Sequence, residues 1–171
     1  SNVSNGPGAI VKLMPNGQPD ASFGTNGLVQ SPFNTRSIAH GLRLSGGDVI
    51  AYGINNNNVR AICVDNNGLV WFGTKNGICY YDGKSFKTLD TSIVQPHNVS
   101  HIFIDKHKKL WFSTFGEGVY SYNGKSFKNY SESDGLINDW IRSAIEDSDG
   151  NIWFASKFGL CRFDGKLFMK F

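Results

Sequence analysis

Short apolar runs separated by turn residues dominate the chain from residue 58 onward. In the first such unit the runs VRAICVD, LVWFGT, ICYY and SFKTL are separated by DNNG, KNG and DGK. Runs rich in β-branched and aromatic residues and bounded by Gly, Asn and Asp are typical of β-strands. The pattern predicts four antiparallel strands per unit, with two-residue type I′ turns at Asp82-Gly83, Asn123-Gly124 and Asp164-Gly165.

The unit occurs three times, because Trp71 recurs as Trp111 and Trp153 at steps of 40 and 42 residues. A period of this length indicates a solenoid or a propeller. In the second strand of each unit both faces are apolar, which predicts a sheet packed between two neighbouring sheets. Four-stranded antiparallel sheets packed in this way are the blades of a β-propeller, so we expect an all-β fold.

The segments VRAICVDNNGLVWFGTKNGICYYD, VSHIFIDKHKKLWFSTFGEGVYSYN and IRSAIEDSDGNIWFASKFGLCRFD resemble the two-component regulator propeller repeat. The sequence departs from the repeat pattern at two places. Lys109 replaces the turn glycine in the middle unit, and Ala155-Ser156 replace Gly-Thr in the last unit. We therefore expect three propeller blades in residues 55–171, at 58–97, 98–138 and 139–171.

The first third of the chain is similar to a different propeller repeat, the delta-sixty repeat. The segments AIVKLMPNGQPDASFGTNGLV, residues 9–29, and IAHGLRLSGGDVIAYG, residues 38–53, carry the likeness. It predicts that residues 1–54 form a last half-blade followed by a first half-blade. The two half-blades and the three full blades are expected to belong to one propeller domain. The ring closes either because the half-blades complete one another or, as we favour, because the blades are part of a larger ring.

The repeat loses its phase after Tyr52-Gly53. A third and a fourth strand should follow there, but INNNN leads directly into a new first strand. Two hypotheses explain this. Either residues are missing near 54–58, or the hairpin takes its outer strands from another segment or another chain.

Composition narrows the classes of partner. Of the 171 residues 40% are hydrophobic and 18% charged, which is typical of a globular protein. The net charge is +3 without a run of Lys or Arg, so we expect neither nucleic-acid binding nor membrane contact. No apolar run approaches the ~20 residues that span a bilayer, and SNVSNGPG lacks the apolar core of a signal peptide, which suggests a soluble, mature or excised piece.

No pattern of catalytic or metal-binding residues stands out. Cys63, Cys79 and Cys161 have neither metal-site spacing nor an activating neighbour, and Cys63 shares a predicted core position with Phe103 and Ile145. His97 and His101 lie ~13 Å apart if they are on a strand, too far for one metal ion. Residues 147–151, DSDGN, begin like a calcium loop but lack its acidic last ligand, which favours a turn. We expect no catalytic residue, metal or cofactor.

The candidate binding residues lie on the loops between second and third strands and on those between blades, where propellers commonly meet ligands. They are Arg60, Lys75, Asn76, His97, Phe115, Glu117, Asn138, Trp140, Arg142, Lys157 and Phe158. Aromatic faces, cations and amides together suit a small carbohydrate or a peptide.

The resemblance implies a ligand-binding or sensing domain of a bacterial protein, periplasmic or extracellular, with glycan fragments as ligands. Two alternatives remain: a secreted or cell-surface scaffold for protein partners, and a lyase-type enzyme on a related propeller. A sugar-sized pocket beside an exposed Trp140 would favour sensing, a large flat apolar patch would favour a scaffold, and a metal with two or more side-chain ligands would favour catalysis. Further blades or another chain are expected to complete the ring.

Overall fold

The structure, a computed structural model, describes residues 9–13, 18, 21, 28–30, 38–45, 48–54, 59–89 and 96–171. Nearly all of its regular structure is β-strand, with one 3₁₀ turn at Glu132–Asp134. The strands are β1 (Ala9–Leu13), β2 (Leu28–Gln30), β3 (Ile38–Ser45), β4 (Asp48–Ile54), β5 (Ala61–Val64), β6 (Val70–Thr74), β7 (Gly77–Tyr81), β8 (Phe86–Thr88), β9 (Val99–Ile104), β10 (Leu110–Thr114), β11 (Val119–Tyr122), β12 (Phe127–Tyr130), β13 (Ile141–Glu146), β14 (Ile152–Ser156), β15 (Gly159–Phe163) and β16 (Phe168–Lys170).

These strands form four antiparallel sheets of four strands each. We call them the N-terminal sheet (β1–β4), the first blade (β5–β8), the second blade (β9–β12) and the third blade (β13–β16). In each blade the strands follow one another in chain order, and β5, β9 and β13 lie next to one another as the innermost strands. The predicted fold of propeller blades is confirmed.

The N-terminal sheet is assembled from two hairpins in the order β2-β1-β4-β3. Strand β1 pairs with β4, with Val11 opposite Ala51, so the hairpin β3-β4 takes its outer strands from an earlier segment of the same chain. Strand β3 lies beside β5. The hypothesis of missing residues concerns 55–58, which lie outside the described residues, and the domain boundaries and the size of the ring stay predictions.

Each blade fixes its tryptophan with an aspartate six residues earlier in the chain. The indole Nε1 of Trp71 donates to Asp65 Oδ2 at 2.9 Å, and the same bond is 2.8 Å from Trp111 to Asp105 and 2.8 Å from Trp153 to Asp147. The second carboxylate oxygen accepts backbone N–H groups of the following turn. One aspartate thus closes the hairpin and satisfies the only polar atom of the indole, which allows the ring to be buried.

The tryptophans pack each blade onto the next one. Trp71 contacts the rings of Phe112 and Tyr122 in the second blade, and Trp111 contacts those of Phe154 and Phe163 in the third. Trp71 and Trp111 are only 3% and 2% exposed. The predicted burial of both faces is therefore confirmed for the second blade.

The outer face of the third blade differs, because no sheet of the described residues covers it. Ile145 is 67% exposed and Leu160 is 47% exposed, whereas Ile78, at the position of Leu160 in the first blade, is 4% exposed. The core assignment of the position shared by Cys63, Phe103 and Ile145 is therefore wrong for Ile145. The repeat places an apolar residue at this position, but the burial of that residue requires a neighbouring blade.

Two sequence predictions about turns are wrong. The Asp82 N–H donates to the Ser85 carbonyl at 3.3 Å, so two residues lie between the bonded pair, but the turn is not type I′. Type I′ requires positive φ at both central residues, and only Gly83 has it (90°). The Asp82 carboxylate also accepts the N–H groups of Lys84 and Ser85, and the Asn123 and Asp164 loops repeat these bonds. The residue at the turn-glycine position of the second blade is Lys108, with φ 66°, and not Lys109.

Candidate functional site at the loop face

The loops between second and third strands share one edge with the segments that join the blades, and we call this edge the loop face. A hydroxyl shapes each of these loops from within. Thr74 Oγ1 donates to the Gly77 carbonyl at 2.9 Å and accepts the Asn76 N–H at 3.0 Å. Thr114 makes the same pair of bonds, and so does Ser156. Serine therefore preserves the loop geometry where it replaces threonine in the third blade.

Asn98 ties the first blade to the second and was not among the predicted site residues. Its N–H donates to the Lys75 carbonyl at 2.8 Å, and its side-chain amide donates to the Phe115 carbonyl at 2.8 Å. Its Oδ1 accepts a hydrogen bond from Arg60. A φ of 50° at a non-glycine residue favours asparagine, but the sequence shows it only as one polar residue in a connecting loop.

Asp139 holds the connection to the third blade against the Phe115–Gly118 loop. Its carbonyl accepts the N–H groups of Gly116 and Gly118, each at 3.0 Å. A backbone bridge then forms between Phe115 and Trp140, and their rings lie 5.9 Å apart between centroids. Backbone bonds thus bring the two aromatic side chains together.

Four of the predicted residues line one small depression of about 140 Å³: Phe115, Trp140, Arg142 and Lys157. Trp140 is 55% exposed, so its indole is open to solvent although it is anchored through its backbone. The Arg60 guanidinium carbon lies 5.3 Å from the centre of the Phe115 ring, which adds a cation beside this depression. We call these four lining residues the loop-face site.

Glu117 and His97 meet each other instead of lining that depression. The Glu117 carboxylate accepts the His97 backbone N–H at 3.1 Å and the Tyr120 hydroxyl at 3.1 Å, and His97 Nδ1 lies 3.5 Å from it. Burial, followed by the nearby Glu117 charge, raises the pKa of Tyr120 to about 12. Through these contacts Glu117 stabilises the Phe115–Gly118 loop.

The other predicted residues lie around the site with separate contacts. Asn138 bonds to Glu132 and to the Trp140 N–H, so it shapes the connecting segment. The Lys157 ammonium lies 5.8 Å from the ring centre of Phe158. Lys75 and Asn76 are exposed on the first blade's loop. Whether any of the eleven residues binds a ligand stays a prediction.

The residues considered for nucleophilic or metal chemistry have structural contacts. Burial raises the pKa of the Cys79 thiol to about 11 and also raises the pKa of Cys161, which keeps both thiols protonated at neutral pH. His101 Nδ1 accepts the Ala144 N–H of the third blade at 3.3 Å. Within the described ranges, no three His, Cys, Asp or Glu side chains are grouped to hold a metal ion. Among the same residues no helix is long and apolar enough to cross a membrane.

A family model confirms the resemblance read from the sequence. The model of the two-component regulator propeller matches residues 53–76 and 135–158. Each match ends after the first two strands of a blade and the turn between them, in the first and the third blade. The likeness of residues 9–53 to the delta-sixty repeat stays a prediction.

Relatives and solved structures extend the likeness over most of the chain. Histidine kinase P4 of Formosa agariphila is 25% identical over 152 residues, which cover 83% of this chain and 11% of the kinase. A solved structure of the extracellular domain of the hybrid two component system BT3049 from B. thetaiotaomicron matches with a TM-score of 0.60 and 21% sequence identity. The match covers 69% of this chain and 19% of the BT3049 chain. Virginiamycin B lyase of Staphylococcus aureus matches with a TM-score of 0.53 and 23% identity, over 68% and 42%.

The chain thus spans about a tenth of the kinase and a fifth of the BT3049 domain. The two structural likenesses show the fold, and the matched segments show the kind of repeat. The chain folds as β-propeller blades and carries two-component regulator propeller repeats.

Proposed function

We propose that this chain is a ligand-binding part of an extracytoplasmic sensor and that its loop-face site binds a glycan. The observation that carries the proposal is the exposed indole of Trp140, which stands beside Phe115 with Arg142 and Lys157 on the same depression. Aromatic faces pack against the C–H faces of sugar rings, and cations and amides fix their polar groups.

The size and charge of the site suggest how a glycan would bind. Ligand pockets commonly measure roughly 300–1,000 Å³, so a depression of about 140 Å³ holds one ring of an oligosaccharide while the rest lies across the loop face. Two cations and no carboxylate line it. We therefore propose an acidic sugar at this position.

The comparisons support the sensing role and the location. The relative from Formosa agariphila is a histidine kinase, and the BT3049 chain is the extracellular domain of a hybrid two component system. By analogy, binding at the loop face is the input to a signalling protein outside the cytoplasm.

A glycan array with acidic and neutral oligosaccharides tests the loop-face site. We expect acidic glycans to bind, and we expect Trp140→Ala and Arg142→Gln each to weaken binding about tenfold, because each removes one principal contact. Leu167→Ala is the matched control, since Leu167 is exposed at the opposite end of the third blade. Equal glycan binding by the wild type, Trp140→Ala and Arg142→Gln would contradict this proposal.

The outer face of the third blade favours a second function, contact with another blade. Three of its exposed apolar residues occupy positions that are buried or half-buried in the first and second blades. They are Ile145, Leu160 and Phe171. We propose that a further blade, or another chain, packs on this face and contributes to ring completion.

Sedimentation velocity tests this face. Without a further blade, two molecules can cover their apolar faces only with each other, so we expect the protein to self-associate as its concentration rises. Leu160→Glu should shift the protein to the monomer, whereas Lys166→Glu, on the exposed turn beside the same sheet, should not. A monomeric wild type over the full concentration range would count against the proposal.

The lyase alternative rests on the shared fold alone, because the likeness to virginiamycin B lyase is 23% in sequence. The loop-face site holds two cations and two aromatic rings, an arrangement that favours binding.

A further inference from the structure

A second and larger concavity lies between the first and second blades, on the side away from the loop face. It measures about 430 Å³ and opens between the turn that follows β5 and the turn that follows β11. Trp71, Tyr80 and Tyr122 line it, together with Leu89, Ile104 and Lys108. We call it the inter-blade groove.

The corresponding space between the second and third blades is closed by two hydrogen bonds from Lys106. The backbone N–H of Lys106 donates to Glu146 Oε2 at 2.7 Å, and its ammonium donates to the Asp149 carbonyl at 3.3 Å. These bonds hold the turn of the second blade against the first strand of the third.

An aromatic ring fills the same space from inside. Tyr130 stacks on Trp111 with 5.7 Å between ring centroids and 21° between planes, and it also contacts Phe163 of the third blade at 5.2 Å. In the third blade Phe171 lies over Trp153 in the same way, at 5.2 Å. An aromatic ring at this position is therefore a recurrent partner of the repeat's tryptophan.

The first blade lacks these closing residues. When the repeats are aligned, Asn66 occupies the position of Lys106, Ile104 the position of Glu146, and Leu89 the position of Tyr130. Isoleucine has no carboxylate to accept the backbone N–H of Asn66, asparagine lacks the long ammonium side chain of Lys106, and leucine carries no ring. Tyr80 lies over Trp71 from the neighbouring strand, at 5.0 Å, and the space beside it stays open.

The charged side chains at the rim are one carboxylate, Asp65, and one ammonium group, Lys108. Asp65 is a lining residue, but its carboxylate already accepts the N–H groups of Asn67, Leu69 and the Trp71 indole. Among the described residues, Lys108 makes no ion pair. The groove therefore combines an apolar aromatic wall with one available cation.

We infer that the inter-blade groove binds a small molecule that carries a flat aromatic ring and an anionic group. The ring takes the place that Tyr130 occupies between the next two blades, and the anion meets the Lys108 ammonium. The groove is separate from the loop-face site in position and in ligand chemistry. The inference does not depend on the proposed glycan binding.

Calorimetry with indole-3-acetate and phenylacetate tests the inference on the whole chain. We expect saturable binding of both aryl acids, weaker binding of uncharged 3-methylindole, and no binding of glucuronate in the groove. Absence of binding by both aryl acids would overturn the inference, and so would glucuronate binding that Leu89→Tyr removes.

Two variants locate the binding. Leu89→Tyr places a ring where Tyr130 stands in the second blade and should abolish aryl-acid binding while the folded structure is kept, as checked by thermal unfolding. Lys108→Asn keeps a residue that accepts positive φ and should weaken indole-3-acetate about tenfold while leaving 3-methylindole unchanged. Lys166→Asn is the matched control for charge.

Trp140→Ala separates this inference from the loop-face proposal, because it should leave aryl-acid binding unchanged. Aryl-acid binding that falls with Trp140→Ala but persists in both Leu89→Tyr and Lys108→Asn would overturn the inter-blade site. Loss of glycan binding together with intact aryl-acid binding would support the inference and leave the two sites independent.

Discussion

The second and third blades carry the same repeat but differ in what covers them. The second blade lies between two others, and Trp111 is buried against Phe154 and Phe163 of the third. The third blade has one neighbour among the described sheets, and Trp153 is only half-buried although it makes the same indole bond. The repeat therefore fixes the shape of a blade, and the neighbouring blade determines how much that shape contributes to stability.

Truncation of the two tryptophans should give the largest difference between these blades. We expect Trp111→Ala to lower the free energy of unfolding by about 3–5 kcal/mol, since a large buried ring is lost and a cavity remains. Trp153→Ala should lower it much less, because its ring already faces solvent on one side. Urea unfolding of both variants measures the difference, and equal losses would show that the outer face of the third blade is covered in solution.

A methyl group added between blades should give the next largest effect. A Cβ on Gly73 would lie 2.4 Å from Val99 Cγ1 of the second blade, closer than packed atoms tolerate. We therefore expect Gly73→Ala to destabilise the protein by about 1–3 kcal/mol.

Ala155 occupies the corresponding position on the uncovered face and gives the matched control. Ala155→Val should change the free energy of unfolding by less than about 0.5 kcal/mol. A destabilisation by Ala155→Val as large as that of Gly73→Ala would mean that another sheet packs there.

Unfolding at acidic pH should reveal a smaller contribution to stability, which comes from the Asp147 carboxylate in the third blade. The hydrogen bond from the Trp153 indole and the bonds from Asn151 lower the pKa of Asp147 from 3.8 to about 2. Because the folded-state pKa is depressed, the stabilisation is present above pH 4 and is lost as the pH falls from about 4 to 2. We expect the melting temperature of Asp147→Asn to fall less than that of the wild type over this range. Asp149→Asn, in the same turn, should follow the wild type.

The fold could be predicted because its determinants are local and repeated. The recurring Asp and Trp, the turn residues between runs and the apolar faces all lie within one unit of about forty residues. The turn type was predicted wrongly, since type I′ needs positive φ at both central residues and only Gly83 has it, while the Asp82 carboxylate accepts the Ser85 N–H. The exposure of Ile145 was missed, because burial depends on a blade that the repeat does not encode.

The candidate site was predictable only in part. Loop position brought together Phe115, Trp140, Arg142 and Lys157, since corresponding loops of adjacent blades lie on one edge. The bonds of Asn98 join it to Phe115, 17 positions later, and to Arg60, 38 positions earlier. The open groove depends on a pair that lies 40 positions apart, Lys106 and Glu146. Sequence periodicity shows that such positions correspond, but it does not show which pairs of side chains meet across a blade boundary.

The N-terminal sheet has a consequence for how such chains change in length over evolution. Its outer strands come from β1 and β2 and its inner strands from β3 and β4, so the boundary between them falls in the middle of a sheet. Insertion or deletion of whole four-stranded units at that boundary would alter the blade number without leaving any strand unpaired. The half-unit offset would thus let recombination enlarge or shrink the ring while every sheet remains complete.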